Sequence, residues 1–196
     1  MRICCLDLEG VLVPEIWIEV SKKTGIDDLK YTTRDIPNYD LLMRRRLKIL
    51  KEKKIRLRDI QNVIAKIKPL PGAQKFLNNL RQISQVIILS DTYEEFGLPL
   101  LKQLGMPTLF CNSLTVNKEG FISGYDLRQK DGKAKAVHAL RSLGFRIHAA
   151  GDSYNDITML RAAHKGVLFN PPDRIRRQFP SFKVTRSYTQ LFLALR

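Results

Sequence analysis

Polar side chains that could perform chemistry stand at the ends of three apolar runs of the sequence. If each run is a buried parallel strand, its last polar residue lies at the carboxyl edge of the sheet. Ligands of open parallel sheets bind at that edge, where the strand order reverses. We therefore expect these side chains to meet in one crevice. They are Asp7 and Glu9 after the first run, Ser90 and Asp91 after the second, and Asp152 after the third.

Several carboxylates in one crevice require a counter-charge, because like charges held close together disfavour ionisation. Carboxylate oxygens without histidine or cysteine nearby favour Mg²⁺ over a softer metal. The three histidines of the chain show no zinc spacing. The sequence therefore predicts a Mg²⁺ site among Asp7, Glu9, Asp152 and Asp156.

Strand-like and helix-like segments alternate along most of the chain, which predicts an α/β fold with a doubly wound parallel sheet. Short β-branched runs are typical of buried parallel strands, and glycines after periodic segments are typical of helix ends. The predicted strands cover 2–8, 85–90, 146–151 and 166–169, and the predicted helices cover 71–82, 93–104, 133–143 and 154–163. A glycine-bearing turn within 112–125 predicts a β-hairpin.

One segment departs from this alternation and is helical throughout. Its apolar residues recur with a helical period over about 15–24, 39–54 and 58–67. We therefore expect a helical insertion, residues 14–70, after the first strand. The rest of the chain, residues 1–13 and 71–196, would form the catalytic core.

The chain is strongly basic, with 34 Lys and Arg against 19 Asp and Glu and a net charge of +15. Charge alone would suggest a nucleic-acid-binding protein. The excess is concentrated in residues 44–68, with 11 bases and 2 acids, and in residues 161–196, with 8 bases and 1 acid. No helix-turn-helix, zinc-finger or aromatic RNA-binding pattern accompanies these bases, which disfavours nucleic acid as the partner.

Membrane insertion and secretion are also disfavoured. No apolar run reaches the roughly 18 residues of a membrane span, and Asp7 and Glu9 interrupt the apolar N-terminal run that a signal peptide would need. The three cysteines form no disulfide framework. We expect buried, reduced thiols and a cytoplasmic protein.

Four motifs in order are similar to those of the haloacid dehalogenase-like phosphatases. D-L-E-G-V at 7–11 resembles the D-x-D-x-[TV] signature, and Ser90 lies in V-I-I-L-S-D. Lys133 begins a predicted helix, and G-D-S-Y-N-D at 151–156 resembles the acidic metal motif. The resemblance covers essentially the whole chain and implies a Rossmann-like core with a small helical cap after the first motif.

This resemblance implies Mg²⁺-dependent phosphatase activity through an aspartyl-phosphate. Asp7 would be the nucleophile, and Glu9 would act first as general acid and then as general base. The metal would be held by Asp7, Asp152 and the backbone carbonyl of Glu9, with Asp156 supporting it from behind. Phosphoryl contacts would come from Ser90, Asp91 and Lys133, and a substrate contact from Asn155.

Taken singly, several of these residues also have structural interpretations. Polar residues at strand ends commonly cap the next helix, which is the alternative for Ser90 and Asp152. Lys133 has basic neighbours, so one of them is the alternative phosphoryl contact. Trp17 is interpreted as packing. A solvated helix face is the interpretation for Arg174, Arg176 and Arg177.

A narrower resemblance covers the same residues and adds others. D-L-E-G-V-L-V-P-E-I-W at 7–17, T-T-R-D-I-P at 32–37 and L-R-Q-K-D at 127–131 are similar to phosphoserine phosphatases that also transfer the phosphoryl group to homoserine. Most of the wider family has Asp at the second acidic position. Members of the narrower group carry Glu there, as this chain does at Glu9.

The narrower resemblance also implies how a zwitterionic amino acid would be held. Glu15 would bind the substrate ammonium and Arg46 its carboxylate, through the bidentate guanidinium. The residues alone leave alternatives, because Glu15 also suits a helix N-terminus and Arg46 is one of three consecutive arginines. The implied substrate is phosphoserine, with homoserine as a second acceptor, in serine and threonine biosynthesis by a monomer or homodimer. Another small phosphate ester is the alternative substrate.

Overall fold

The computed structural model describes residues 1–32, 35–36 and 38–196. The stretch T-T-R-D-I-P at 32–37 therefore lies partly outside the described residues. Within them, seven strands form one sheet. The strands are β1 (Arg2–Leu6), β2 (Gln85–Tyr93), β3 (Thr108–Val116), β4 (Ile122–Asp126), β5 (Arg146–Gly151), β6 (Lys165–Phe169) and β7 (Lys183–Thr185).

The strand order is β4-β3-β2-β1-β5-β6-β7. All neighbouring pairs are parallel except β3 and β4, which form an antiparallel hairpin. The chain proceeds outward from β1 to β3 on one side and later adds β5 on the other side of β1, so the order reverses between β1 and β5. The predicted α/β class with a doubly wound parallel sheet and a hairpin is confirmed.

Helices cover both faces of this sheet. Alternation along β1 directs Cys4 and Leu6 to one face and Ile3 and Cys5 to the other, and the two pairs belong to separate apolar clusters. The helices are α1 (Ile16–Thr24), α2 (Tyr39–Glu52), α3 (Leu57–Ile64), α4 (Ala73–Arg81), α5 (Glu94–Gln103), α6 (Gly132–Ser142), α7 (Ile157–Ala162), α8 (Asp173–Gln178) and α9 (Tyr188–Leu195). Helices α4, α5 and α9 pack on the Cys4 face, and α6, α7 and α8 on the Ile3 face.

The helical insertion, residues 14–70, contains α1, a 3-10 turn at Asp27–Lys30, α2 and α3. It packs on α5 through a contact that Pro99 makes possible. Proline lacks the N–H that would bond the carbonyl four residues earlier, which in α5 is the carbonyl of Glu95. The side-chain amide of Gln61 donates to this free carbonyl at 3.0 Å. The division of the chain into a core and a separate cap remains a prediction.

Three differences from the sequence expectations concern the ends of elements and the shortest elements. Strand β2 continues past Ser90 to Tyr93 through an irregular register with β3, and β3 begins at Thr108, before the predicted hairpin. The helix expected over 154–163 is a 3-10 turn at Tyr154–Asp156 followed by α7. The elements α8, β7 and α9 were not predicted, because elements of three to eight residues show little periodicity.

Two smaller expectations concern thiols and membranes. Cys4 and Cys5 are buried and free, as expected, whereas Cys111 is free but only half-buried. Burial raises the pKa of Cys5 to about 12, so this thiol stays protonated at neutral pH. Among the described helices, none is both long enough and apolar enough to cross a bilayer.

Candidate active site

The carboxyl edge of β1 and β5 places two carboxylates side by side. The two strands pair with Leu6 opposite Ala150, and the N–H of Asp7 donates to the carbonyl of Ala150 at 2.9 Å. Asp152 directly follows the end of β5. Asp7 and Asp152 therefore meet at the point where the strand order reverses, which is where open parallel sheets bind ligands.

Asp156 completes a group of three buried carboxylates with Asp7 and Asp152. One ligand atom of each residue lies within 4.8 Å of the others. Burial and the charge of Asp156 raise the pKa of Asp7 well above its usual value, against the opposing effect of Lys133. A bound cation would reverse that shift. Oxygen-only donors at this spacing fit a hard divalent ion such as Mg²⁺, whereas the side chain of Glu9 is not a member of the group.

Two glycines allow these carboxylates to lie against the backbone. The Oδ2 atom of Asp156 accepts the N–H groups of Asp152 and Ser153, each at 3.0 Å. A Cβ at Gly151 would lie 2.4 Å from the Cβ of Asp156. A Cβ at Gly10, where φ is +77°, would lie 2.5 Å from the carboxylate carbon of Asp152. The backbone turns at both strand ends therefore require residues without a side chain.

Lys133, near the start of α6, reaches the centre of this group. Its Nζ atom lies 2.8 Å from Asp7, 2.7 Å from Asp156 and 3.5 Å from Asp91. Burial alone lowers the pKa of Lys133, but the carboxylates of Asp156 and Asp7 raise it above its ordinary value. The lysine therefore carries a permanent charge next to Asp7, as a contact for anionic phosphoryl oxygens requires.

Ser90 and Asp91 lie at the irregular end of β2. Ser90 does not cap α5, whose N-cap is Tyr93. Its Oγ accepts the N–H of Thr92 at 3.2 Å, and such a hydroxyl still has a hydrogen to donate to a ligand. The half-exposed Asp91 accepts from the Nδ2 of Asn155 at 2.7 Å. A carboxylate has no hydrogen to donate, so a phosphoryl contact of Asp91 would come from its backbone N–H, and this contact remains a prediction.

Asp152 does not cap the following turn either. The N-cap of the 3-10 turn at Tyr154–Asp156 is Ser153, whose side chain bonds with Asp156. The side chain of Asp152 is therefore directed to the carboxylate group, where Gly10 lies against it.

Glu9 is held by the N-terminus of α1. Its Oε2 accepts the N–H of Ile16, the first residue of that helix, at 2.7 Å. An aspartate would be shorter by one C–C bond, about 1.5 Å, and would not keep this hydrogen bond in the same geometry. Burial and the charge of Glu15 raise the pKa of Glu9 to about 8. Its protonated form is therefore available at neutral pH as a general acid.

Arg46 is buried although it belongs to a run of three arginines, and only 5% of it is exposed. Its guanidinium lies over the ring of Trp17, 4.4 Å from the centroid, and donates to the carbonyl of Tyr31 at 2.7 Å. Burial lowers its pKa to about 10, which still leaves it charged. Its Nε has no hydrogen-bond partner among the described residues. A buried, charged donor in this state is suited to an anionic ligand.

A cavity of about 710 Å³ joins the two groups of residues. Asp7, Lys133 and Asp152 line it on the side of the sheet, and Glu15 and Arg46 line it on the side of the helical insertion. The remaining predicted site residues that line it are Glu9, Ser90, Asp91 and Asn155. Asp156 lies behind them, in contact with Lys133.

Several cavity residues were not identified from the sequence. Trp17 was interpreted as packing, and it does pack on Phe96 at 5.5 Å, but it also supports Arg46. Tyr39 and Tyr93 line the wall with a shared hydrogen bond. Arg174, interpreted as part of a solvated face, lines the cavity while remaining exposed. Only the helical period of the buried positions on α2 could have indicated Tyr39, since Tyr39 and Arg46 share a helical face.

Comparison with known proteins agrees with this geometry. The sequence matches the family of haloacid dehalogenase-like hydrolases over residues 1–164. Together with the parallel sheet and the acidic, lysine-bearing edge between β1 and β5, this match shows that the chain belongs to the haloacid dehalogenase-like hydrolase family.

Particular relatives are similar over nearly the whole chain. The phosphoserine phosphatase ThrH of Pseudomonas aeruginosa is 56% identical over 191 residues, which cover 97% of this chain and 93% of that protein. A phosphoserine phosphatase of Pseudomonas syringae pv. tomato is 54% identical over 191 residues, covering 97% of this chain and 81% of that protein. A crystal structure of an apo phosphoserine phosphatase, 18% identical, covers 100% of this chain and 99% of its own with a TM-score of 0.80. That structural likeness shows the fold.

Proposed function

We propose that this protein is a Mg²⁺-dependent phosphatase of phosphoserine that also transfers the phosphoryl group to homoserine. One observation carries the proposal. A single cavity holds a carboxylate–lysine group at one end and Glu15 with the buried Arg46 at the other. This arrangement matches a phosphate ester of an amino acid, which has a dianionic end and a zwitterionic end. Both Pseudomonas relatives carry the name phosphoserine phosphatase.

The first half-reaction follows from the position of Asp7. A carboxylate oxygen of Asp7 attacks phosphorus while the bond from phosphorus to the serine oxygen breaks, and the electron pair of that bond leaves with the serine oxygen. Glu9, protonated at neutral pH, gives its proton to this oxygen. The products are serine and an acyl-phosphate on Asp7.

The chain's own charges stabilise this step. Lys133, held 2.8 Å from Asp7, and the hydroxyl of Ser90 contact the phosphoryl oxygens. Asp91 keeps Lys133 and Asn155 in place. Asp7, Asp152 and the backbone carbonyl of Glu9 would hold Mg²⁺, which when bound neutralises phosphoryl charge, and Asp156 would support them.

The second half-reaction returns the enzyme to its starting state. Glu9, now a carboxylate, removes a proton from the acceptor hydroxyl, whose oxygen attacks phosphorus as the bond to Asp7 breaks. Water as acceptor gives phosphate, and homoserine gives phosphohomoserine. The hydrogen bond from Ile16 fixes Glu9 at a greater reach than Asp would have, which changes the space beside the acceptor hydroxyl.

The helical insertion supplies the specificity in this proposal. Arg46 binds the substrate carboxylate through its guanidinium, and Glu15 binds the ammonium, since both residues line the cavity. Residues 14–70 act as the cap over the catalytic core formed by 1–13 and 71–196. A cytoplasmic location, a role in serine and threonine biosynthesis, and a monomeric or homodimeric state remain predictions.

The alternative substrate is another small phosphate ester, with the same chemistry at Asp7. A panel of sugar phosphates, nucleotides and phosphoamino acids, followed by phosphate release, separates the two. Nucleic-acid binding is the weaker alternative, because Arg46, inside the basic segment 44–68, is buried against Trp17 and Arg45 pairs with Asp28. Unchanged mobility of duplex and single-stranded DNA at low salt is the expected result for that test.

A single spectroscopic experiment tests the proposal. Purified protein is mixed with phosphoserine, Mg²⁺ and homoserine, and the phosphorus NMR signals are followed with time. We expect phosphate and phosphohomoserine to appear together, phosphate alone without homoserine, and neither with excess chelator. Folded protein that consumes another ester of the panel but not phosphoserine would overturn the proposed substrate.

A further inference from the structure

Two tyrosines from distant parts of the chain meet on the cavity wall. Tyr39 is the first residue of α2 and Tyr93 is the last residue of β2. Their hydroxyl oxygens lie 2.5 Å apart, and both residues line the cavity. Only 1% of Tyr93 is exposed. Tyr39 lies in the helical insertion and Tyr93 in the sheet, so this hydrogen bond connects the two sides of the cavity directly.

Each tyrosine shares its element with a residue of the proposed site. Tyr39 and Arg46 lie seven residues apart on α2, which places them on the same helical face. Ser90 and Tyr93 lie on the same end of β2. The bond therefore joins the helix that carries the carboxylate-binding group to the strand that carries a phosphoryl-binding group.

A series of ring contacts makes this connection a closed loop. The Arg46 guanidinium lies on the ring of Trp17, Trp17 packs edge-on against Phe96 at 5.5 Å, and Phe96 packs edge-on against Tyr93 at 5.6 Å. Tyr93 bonds to Tyr39, and α2 leads back to Arg46. The position of Arg46 is thus fixed along two routes that both pass through Tyr93.

We propose that the Tyr39–Tyr93 hydrogen bond fixes the distance between Arg46 and the phosphoryl-binding residues, and thereby selects the phosphoamino acid by its length. This inference rests on the proposed function. Both tyrosines are positioning residues in it, since they act through Arg46. Burial raises the pKa of Tyr39 to about 12, so the bond persists over the pH range in which such enzymes are assayed.

Length selection has a defined consequence for the donor and the transfer product of the proposed reaction. Phosphohomoserine is one methylene longer than phosphoserine between the phosphate and the carboxylate. An arginine held at the distance that suits phosphoserine binds the longer ester less well. Transfer to homoserine and the reverse reaction share one transition state, so the same spacing sets the rate of both.

The test compares three esters with the wild-type protein, Tyr39→Phe, Tyr93→Phe and the double variant. We expect the ratio of kcat/KM for phosphoserine to kcat/KM for phosphohomoserine to fall about three- to tenfold in each single variant, as for one lost hydrogen bond. The double variant should fall no further, because both changes remove the same bond. Phosphoethanolamine, which has no carboxylate for Arg46, should be hydrolysed at an unchanged rate.

A matched control comes from Tyr125, whose hydroxyl bonds to Asp40 on the outer side of α2. Tyr125→Phe also removes a hydrogen bond between α2 and the sheet, but it leaves the cavity hydroxyls in place. The inference is overturned if Tyr125→Phe lowers the ratio as much as Tyr93→Phe, if the single variants change the ratio less than twofold, or if their effects add. Equal loss with phosphoethanolamine would show general damage and would also overturn it.

Two further measurements keep the outcomes separate. Thermal unfolding checks that each variant is folded. If Tyr93→Phe is unfolded, Tyr39→Phe decides the test, because Tyr39 is only half-buried. Wild-type protein that hydrolyses phosphoethanolamine as well as phosphoserine contradicts the proposed function itself. Wild-type protein that prefers phosphoserine, with variants that keep the ratio, contradicts the length selection alone.

Discussion

The two sides of the cavity are built in different ways. On the sheet side, one buried lysine pairs with two of the three buried carboxylates. Lys133 lies 2.8 Å from Asp7 and 2.7 Å from Asp156, and Asp156 accepts two backbone N–H groups. On the side of the helical insertion, Arg46 rests on an aromatic ring, bonds to one carbonyl oxygen and leaves its Nε unpartnered among the described residues.

This difference indicates that the sheet side performs the phosphoryl chemistry and that the insertion side selects the substrate. The sheet side is fixed by strand ends and backbone turns, and its carboxylates, together with Lys133 and a hard cation, can serve any phosphate ester. On the insertion side, the buried guanidinium of Arg46 lines the cavity, so a carboxylate ligand can add charge-assisted hydrogen bonds to it. We therefore expect damage to the sheet side to affect all esters equally, and damage to the insertion side to affect only those with a carboxylate.

The largest effect is expected for Asp7→Asn, which removes the nucleophile and keeps its size. Phosphate release from phosphoserine and from phosphoethanolamine should both fall by more than about 10³-fold. Initial rates with both esters check this, and Asp126→Asn, at the exposed end of β4, is the control for loss of one carboxylate. A variant that keeps a tenth of the wild-type activity would remove Asp7 from the mechanism.

The next largest loss of activity is expected for Gly10→Ala, a change in the backbone turn on the sheet side. In Gly10→Ala the new Cβ would stand 2.5 Å from the carboxylate carbon of Asp152, so that carboxylate must move. Displacement of about 1 Å in such a site costs about 100-fold in rate, and both esters should be affected alike. Gly144→Ala has a similar positive φ, +83°, but nothing within 4 Å of the added Cβ. Equal activity of the two variants would contradict the tight packing of Gly10 on Asp152.

Arg46→Lys tests the insertion side. Lysine keeps the charge but loses the planar fork that suits a carboxylate. We expect KM for phosphoserine to rise about 10- to 100-fold, as for a lost charge-assisted hydrogen bond, with phosphoethanolamine unaffected. Arg44→Lys, on the exposed side of the same helix, is the matched control. An equal loss of activity with phosphoserine and phosphoethanolamine would show that Arg46 contributes to catalysis and not to substrate selection.

The smallest change in selectivity is expected at Glu9, where the two sides meet, although displacement of this general acid also lowers the overall rate. Glu9→Asp withdraws the carboxylate by about 1.5 Å and loses the hydrogen bond from Ile16. We expect the ratio of phosphohomoserine to phosphate among the products to fall about threefold or more, because space for water opens beside the acceptor. Phosphorus NMR measures this ratio directly. Glu19→Asp, within α1, is the control, and an unchanged ratio in Glu9→Asp would show that its length does not select the acceptor.

The two sides also differed in how far the sequence could predict them. Apolar runs that end in Asp7 and Asp152 predict a carboxylate pair, because parallel strands share one carboxyl edge. The approach of Lys133 to Asp7 depends on how α6 packs, which the residues alone did not indicate, and it was expected only from the family resemblance. Periodicity predicted α1 and α2 as helices, whereas the stacking of Arg46 on Trp17 depends on their relative orientation, which is a tertiary property.

In the proposed function, the sheet side binds the phosphate and the insertion side recognises the amino-acid part of the substrate. The most direct measurement is kcat/KM of the wild-type protein with Mg²⁺ for phosphoserine, for phosphoethanolamine and for the phosphate ester of 3-hydroxypropanoate, which lacks the ammonium group. We expect kcat/KM for phosphoserine to exceed kcat/KM for each truncated ester by about tenfold or more. Equal values for phosphoserine and phosphoethanolamine would contradict it.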